Sequence, residues 1–346
     1  MTATSTRKAT TMSPRETSSR ETPSAQHVLL VGLLLAVVSA ATFGTAGAVA
    51  KSSLVQGWSP AAAVTVRISV GALILAVPTA RAMRGRWQLL SSVKTWVQIG
   101  LFGTFAVGGC QLFYFLAVRE LSVAVALMIE YLGPILVVAW LWLANGHRPR
   151  RLTMIGMGLA ILGLVLILDV LGDVQVSTLG VLFGLGAAVG LAIFFVIGAD
   201  DSNGLPPIAF ACLGMAVGAV MLLLVGMLQI VPFEISTTDA VLAGVSLPWW
   251  VPLIWLGIVA AAIAYVTGIA ANRRLGAKVA SFVGLTEVMF AVLWAWLLLG
   301  EMPATIQLLG GLLILVGVIA VKLDEAPDEP HIDVPSPVLP AADANS

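Results

Sequence analysis

Arg67, Glu130 and Glu287 are ionisable residues that lie well inside long apolar runs. A charge at the centre of an apolar helix costs roughly 2.5–3.5 kcal/mol on insertion scales, so each needs a partner or a water-filled cavity. The chemistry they offer is binding and proton exchange. A guanidinium holds an anion, whereas a carboxylate holds an ammonium group or takes up a proton. Arg67 and Glu130 each lie 7 residues from the expected starts of their helices, Pro60 and Val123. That is about 10 Å deep at about 1.5 Å per residue, and the matching depth allows them to pair. Glu287 lies 8 residues from Val279 at the opposite side, so the two acids straddle the midplane. A simpler reading has Arg67 snorkelling to the interface with Glu130 neutralising it.

Ser39, Thr42, Gln111, Tyr114, Tyr131, Tyr265, Thr267 and Thr286 form a second group of candidates lining a cavity. Together they could hydrogen-bond a small zwitterion in a mostly apolar pocket; singly, such Ser and Thr residues usually bond a backbone carbonyl or a neighbouring helix. Cys110 and Cys212 stand alone in apolar runs and read as small packing residues. His27, His147 and His331 all fall outside those runs. No His-Glu-x-x-His, Gly-x-Ser-x-Gly or phosphate loop occurs. Neither an enzyme, a metal site nor a cofactor is expected, which leaves transport, with a non-transporting sensor or scaffold as the rival.

The elements that must position these residues follow from composition. Of 346 residues, 59% are hydrophobic and only 10% charged, against roughly 25% charged in a soluble domain. Apolar runs predict an all-α membrane protein with ten transmembrane helices: Val28–Val49, Pro60–Ala80, Trp96–Val118, Val123–Leu143, Leu152–Val170, Leu179–Ala199, Pro206–Ile230, Trp249–Ala271, Val279–Gly300 and Pro303–Leu323. Residues 1–27 form a basic tail and residues 324–346 an acidic one, both of disordered composition. The first apolar run, ending in Ala48-Val49-Ala50, imitates a secretory signal, but it is long enough to span and is expected to be retained.

With the N-terminus in the cytoplasm, the inner segments collect Arg7, Lys8, Arg15, Arg20, Arg81, Arg84, Arg86, Lys94, Arg148, Arg150, Arg151, Arg273, Arg274, Lys278 and Lys322, leaving Lys51 and Arg119 outside. This asymmetry predicts cytoplasmic termini. The expected partners are a small-molecule substrate and the lipid bilayer, with no nucleic acid. Gly180-x-x-x-Gly184, Gly186-x-x-x-Gly190 and Gly214-x-x-x-Gly218 allow close helix approach and leave room for a homodimer. The Trp pairs 140/142 and 294/296 read as interfacial anchors.

A shift of 154 residues lays the chain on itself: Arg119 on Arg273, Leu121 on Leu275, Trp140 on Trp294, Trp142 on Trp296, Gly146 on Gly300, Pro149 on Pro303, Gly156 on Gly310 and Gly163 on Gly317. Hydrophobicity alone does not reproduce that pattern. Residues 28–170 and 178–323 therefore form two five-helix repeats, and an odd helix number inverts one against the other. Such a pair can expose one central site to each side in turn.

The duplication, Arg67 in the second helix, and Leu299-Gly300-Glu301-Met302-Pro303 before the last helix resemble the EamA family of the drug/metabolite transporter superfamily. Val123-Ala124-Val125-Ala126-Leu127 followed by Glu130-Tyr131-Leu132-Gly133-Pro134 is similar to its bacterial threonine/homoserine exporter branch. The resemblance implies a multi-pass protein of the bacterial inner membrane that exports amino acids or related metabolites, driven by an ion or exchange gradient. Export of drugs or other hydrophobic compounds is the alternative within transport.

Overall fold

The computed structural model describes residues 25–136, 151–167 and 177–324. The first half contains α1 (Ala25–Leu54), α2 (Pro60–Ala82), α3 (Val93–Glu120), α4 (Val123–Leu136) and α5 (Arg151–Ile167). The second contains α6 (Thr178–Ala199), α7 (Pro207–Met227), α8 (Trp250–Gly276), α9 (Val279–Leu299) and α10 (Thr305–Asp324). Among the described residues, seven helices are long and apolar enough to cross a membrane, and α4, α5 and α10 supply shorter apolar helices. Trp140, Trp142, Gly146, Pro149 and the loop 147–150 lie outside the described residues, as do positions 1–24 and 325–346 of the tails.

Local chemistry sets several helix starts. Pro60 occupies the first turn of α2, where its missing N–H leaves no helical bond unmade, and Ser59 Oγ accepts from the Ala62 N–H at 3.3 Å. Ser122 and Ser177 cap α4 and α6 in the same way. The last helix begins at Thr305, two residues after the expected Pro303. One element escaped the all-α reading: Ala240–Leu242 pairs antiparallel with Val245–Leu247. Ala243 and Gly244 turn that hairpin with φ of 49° and 76°, the left-handed pair a two-residue hairpin needs.

Contacts follow the repeat. α5 packs on α10; α3 on α6 is matched by α8 on α1; α4 on α6 by α9 on α1; and α3 on α7 by α8 on α2. The α5–α10 crossing is made by glycines already paired in the sequence. A Cβ on Gly163 would lie 2.5 Å from the Gly310 carbonyl oxygen, and one on Gly317 would lie 2.4 Å from that of Gly156. Small residues let backbones approach where lipid removes the hydrophobic drive for association. The three Gly-x-x-x-Gly pairs are likewise spent within the chain: Gly180 and Gly184 against α3 and α4, Gly186 and Gly190 against Phe113 and Cys110, Gly214 and Gly218 against Phe102 and Gly103.

Two irregularities also repeat. Residues Phe102–Gly109 of α3 and Ile258–Ile263 of α8 are wound as π-helix, and the shift of 154 superposes these segments. The α-helix of α4 stops at Glu130 and turns at Tyr131, while α9 is interrupted at Leu285, between Gly284 and Thr286. Tyr131 and Leu285 are again partners in the shift. Irregular backbone at membrane depth is tolerated where it is buried in protein or lines a cavity.

Candidate functional site

The two breaks converge on a cavity between α1, α3, α4, α6, α8 and α9. Its wall is drawn from helical stripes spaced by three and four residues: Ala36, Ser39, Ala40 and Phe43 from α1, Leu191, Phe194 and Phe195 from α6, and Tyr265, Gly268, Ala271 and Asn272 from α8. Ala106, Cys110 and Gln111 enter from α3, Glu130 and Tyr131 from α4, and Ala280, Gly284 and Glu287 from α9. Edge-to-face aromatic contacts stiffen this wall, with ring centroids at 5.0 Å for Phe43–Tyr265 and 5.8 Å for Phe194–Tyr265.

Glu130 and Glu287 both line the cavity, each held by a neighbour. Cys110 Sγ lies 3.3 Å from Glu130 Oε1 and 3.4 Å from the Ala187 carbonyl oxygen. Tyr131 Oη lies 2.7 Å from the Gly284 carbonyl oxygen and 3.0 Å from Glu287 Oε2. A hydroxyl has one proton to donate, so these last two acceptors share it.

Arg67 is fully buried, at 0% exposure, which excludes the snorkelling arrangement. Nor does it pair with Glu130. The guanidinium donates to Gln111 Oε1 and to the Ala260 carbonyl in the π segment of α8, and it sits 5.6 Å over the Phe115 ring. Amide and carbonyl dipoles and an aromatic face, instead of a carboxylate, receive its charge. Arg67 is not part of the cavity wall; it fixes Gln111, which is. The repeat adds a counterpart here: Tyr265 Oη reaches the Ala106 carbonyl of the α3 π segment at 3.4 Å, and Ala106 matches Ala260 in the shift.

Of the second group, Ser39, Gln111, Tyr131 and Tyr265 lie on the wall, although Ser39 Oγ donates to the Ala264 carbonyl at 2.9 Å. Thr42, Thr267 and Thr286 do not; their hydroxyls donate to carbonyls three or four residues back in their own helices. Tyr114 is buried beside Gly47 and is not among the wall residues. Cys110 and Asn272 are wall residues that sequence reasoning passed over. Asn272 was findable: it stands seven residues after Tyr265, on the same helix face.

The cavity occupies the half of the bundle that holds the N-terminus of α1. At the other end the helices are tied together. Lys51 forms an ion pair with Glu301 and donates to the Leu121 carbonyl at 3.3 Å, while Glu301 Oε2 accepts from the Val123 N–H at 3.4 Å. A carboxylate at the start of α4 also meets the positive end of the helix dipole.

A two-repeat, multi-pass helical bundle with a largely apolar cavity that carries two acids at matched helix breaks fits a membrane transport protein. The chain belongs to the EamA-like transporter family, which matches residues 30–169 and again 178–323. An uncharacterized transporter from Archaeoglobus fulgidus is 26% identical over 206 residues, 60% of this chain and 69% of that protein. The uncharacterized inner membrane transporter YicL of Salmonella typhimurium is 23% identical over 303 residues, covering 85% and 95%. The threonine/homoserine exporter RhtA of Escherichia coli is 25% identical over 281 residues, covering 80% and 86%. Among solved structures, one crystal structure shares the fold with a TM-score of 0.58 at 20% identity, covering 87% of this chain and 98% of its own.

Proposed function

We propose that this protein is a secondary transporter working by alternating access, with ten spans in two inverted five-helix repeats, and that it exports amino acids of the threonine/homoserine kind or closely related small metabolites. Both termini then face the cytoplasm of a bacterial inner membrane. The observation that carries this reading is the pair of matched breaks in α4 and α9, which brings Glu130 and Glu287 to one cavity. Discontinuous helices near the midplane are where two-repeat transporters place substrate and ion sites.

Both charged residues among the described cavity wall are acids. An ammonium group and a proton therefore compete for the same two carboxylates, which ties the arrival of one to the departure of the other. Tyr131 extends the link to the backbone. When Glu287 is protonated, its O–H can donate to Tyr131, freeing the tyrosine proton for the Gly284 carbonyl at the break. When Glu287 is charged, it draws that proton to itself and releases the carbonyl. Protonation and the local geometry of α9 are thus coupled. The likeness to RhtA supports an amino-acid substrate. A second reading, export of apolar amines, is favoured by Phe43, Phe194, Phe195 and Tyr265 on the wall, because aromatic faces hold cations without needing a carboxylate.

The test is flux from proteoliposomes loaded with labelled threonine and a panel of amino acids, with and without an imposed pH gradient. Saturable, gradient-stimulated flux is expected, falling at least about tenfold, equivalent to about 1.4 kcal/mol, in a normally inserted Glu130→Gln, Glu287→Gln double variant. Undiminished flux by that variant removes both acids from the mechanism. Transport of apolar amines without amino acids selects the second reading.

A further inference from the structure

We infer that Lys51 and Glu301 form a gate: the charged pair clasps the turn between α3 and α4 and holds the cavity shut at the end opposite the N-terminus of α1. This rests on the transport reading above and names how one mouth of that site is controlled. The cavity lies between two groups of helices, α3, α4 and α6 on one side and α1, α8 and α9 on the other, and within each group the helices pack on α6 or on α1. Opening a mouth parts these groups, so access is decided by the residues that bridge them at each end. Lys51 stands in the last turn of α1. Glu301 is fixed to the end of α9, where its N–H donates to the Ala295 carbonyl at 3.2 Å. Both partners therefore belong to one group, and together they grip the other. Lys51 Nζ donates to the Leu121 carbonyl at 3.3 Å, and Glu301 Oε2 accepts from the Val123 N–H at 3.4 Å.

The clasp suits a contact that must form and break. The Val123 N–H opens α4 and has no carbonyl of its own helix to bond. The side chains of the pair are 21% and 27% exposed, so water can replace each partner on release, whereas a sealed pair resists parting. The α-helical part of α4 runs from Val123 to Glu130. The clasp holds its first residue and the cavity acid is its last, about 10 Å away at about 1.5 Å per residue. Release of the turn thus frees the helix that carries Glu130. Gly47 supplies the closeness that the shut state needs, because a Cβ there would collide with Tyr114 Oη and Val123 Cγ1. In the 154-residue shift Glu301 falls on His147, so the first repeat has no carboxylate with which to build the same clasp at the opposite mouth. The two mouths are held unequally, and the resting state is the one shut at the clasp.

Spin-label distances in the full-length protein in proteoliposomes test this. Val55 and Arg119, exposed beside the ends of α1 and α3, are each replaced by p-acetylphenylalanine carrying a spin label. One short distance is expected with the clasp intact. Glu301→Gln, Lys51→Met and Gly47→Ala should each add a longer one, raising the ratio of open to shut by about five- to tenfold, as for loss of one partly exposed ion pair and its contacts. The double variant Lys51→Glu, Glu301→Lys keeps opposite charges but sets a carboxylate against the Leu121 carbonyl and an ammonium against the Val123 N–H, so it should open as well. Unchanged distances in inserted, stable Glu301→Gln and Lys51→Met proteins overturn the gate, as does a swapped variant that stays shut. If the charge variants fail to insert, unchanged distances in Gly47→Ala overturn it. Distances that lengthen while the wild type carries no amino-acid flux refute the transport reading and leave the clasp standing. Threonine flux with unchanged distances refutes the gate alone, and neither flux nor lengthening refutes both.

Discussion

Cys110 read as packing in the sequence, yet its thiol shares its one proton between Glu130, one of the two cavity acids, and the Ala187 carbonyl. Removing it with Cys110→Ala strips a buried carboxylate of that partner, a loss of about 1–3 kcal/mol where nothing replaces the bond. A lower Tm in detergent and slower transport are expected, with Cys110→Ser restoring both; an alanine variant matching wild type in each shows the thiol to be passive. Because the same residue lines the cavity, alkylation by N-ethylmaleimide should block flux, and bound substrate should slow the labelling.

The helices are positioned by close approach at a few glycines. Gly163→Val and Gly317→Val each drive a side chain onto a facing backbone, where neither helix can yield without shifting. Overpacking of this kind costs about 1–3 kcal/mol, so both variants should unfold at lower temperature. Gly158→Ala is the control. A Cβ there meets nothing within 4 Å, and alanine's better helix propensity should hold or raise the Tm. At the tied end, Glu301→Ala removes both the ion pair with Lys51 and the acceptor at the first turn of α4. Partly exposed ion pairs contribute up to about 1 kcal/mol, and faster amide hydrogen exchange around Val123 is the expected signature. Unchanged exchange there means Glu301 restrains nothing.

Among the described residues, the cavity that holds both acids lies in one half of the bundle while the opposite end is tied. On the proposed alternating-access reading, the matched π segments and helix breaks are where the two halves would exchange conformations, since the irregular backbone recurs in both. The charge asymmetry predicts that reporter tags before residue 1 and after residue 346 are both protected from protease in intact cells and both cleaved in inverted vesicles. Cleavage of either tag in intact cells overturns that orientation.

Apolar runs and the 154-residue self-match carried the helical architecture and the doubled plan, because span length and repeated Gly, Trp and Pro are properties of the chain alone. The glycines at 156, 163, 310 and 317 were visible as a pattern before their contacts were known. Which polar residues face the cavity was not legible in the same way. Thr42 and Ser39 are three residues apart, yet only Ser39 reaches the wall, since the rotation of α1 against α8 and α9 decides it. Arg67 and Glu130 matched in depth, but depth is one coordinate of three; the lateral placement of α3 and α8 put Gln111 and the Ala260 carbonyl at the guanidinium and left Glu130 to Cys110.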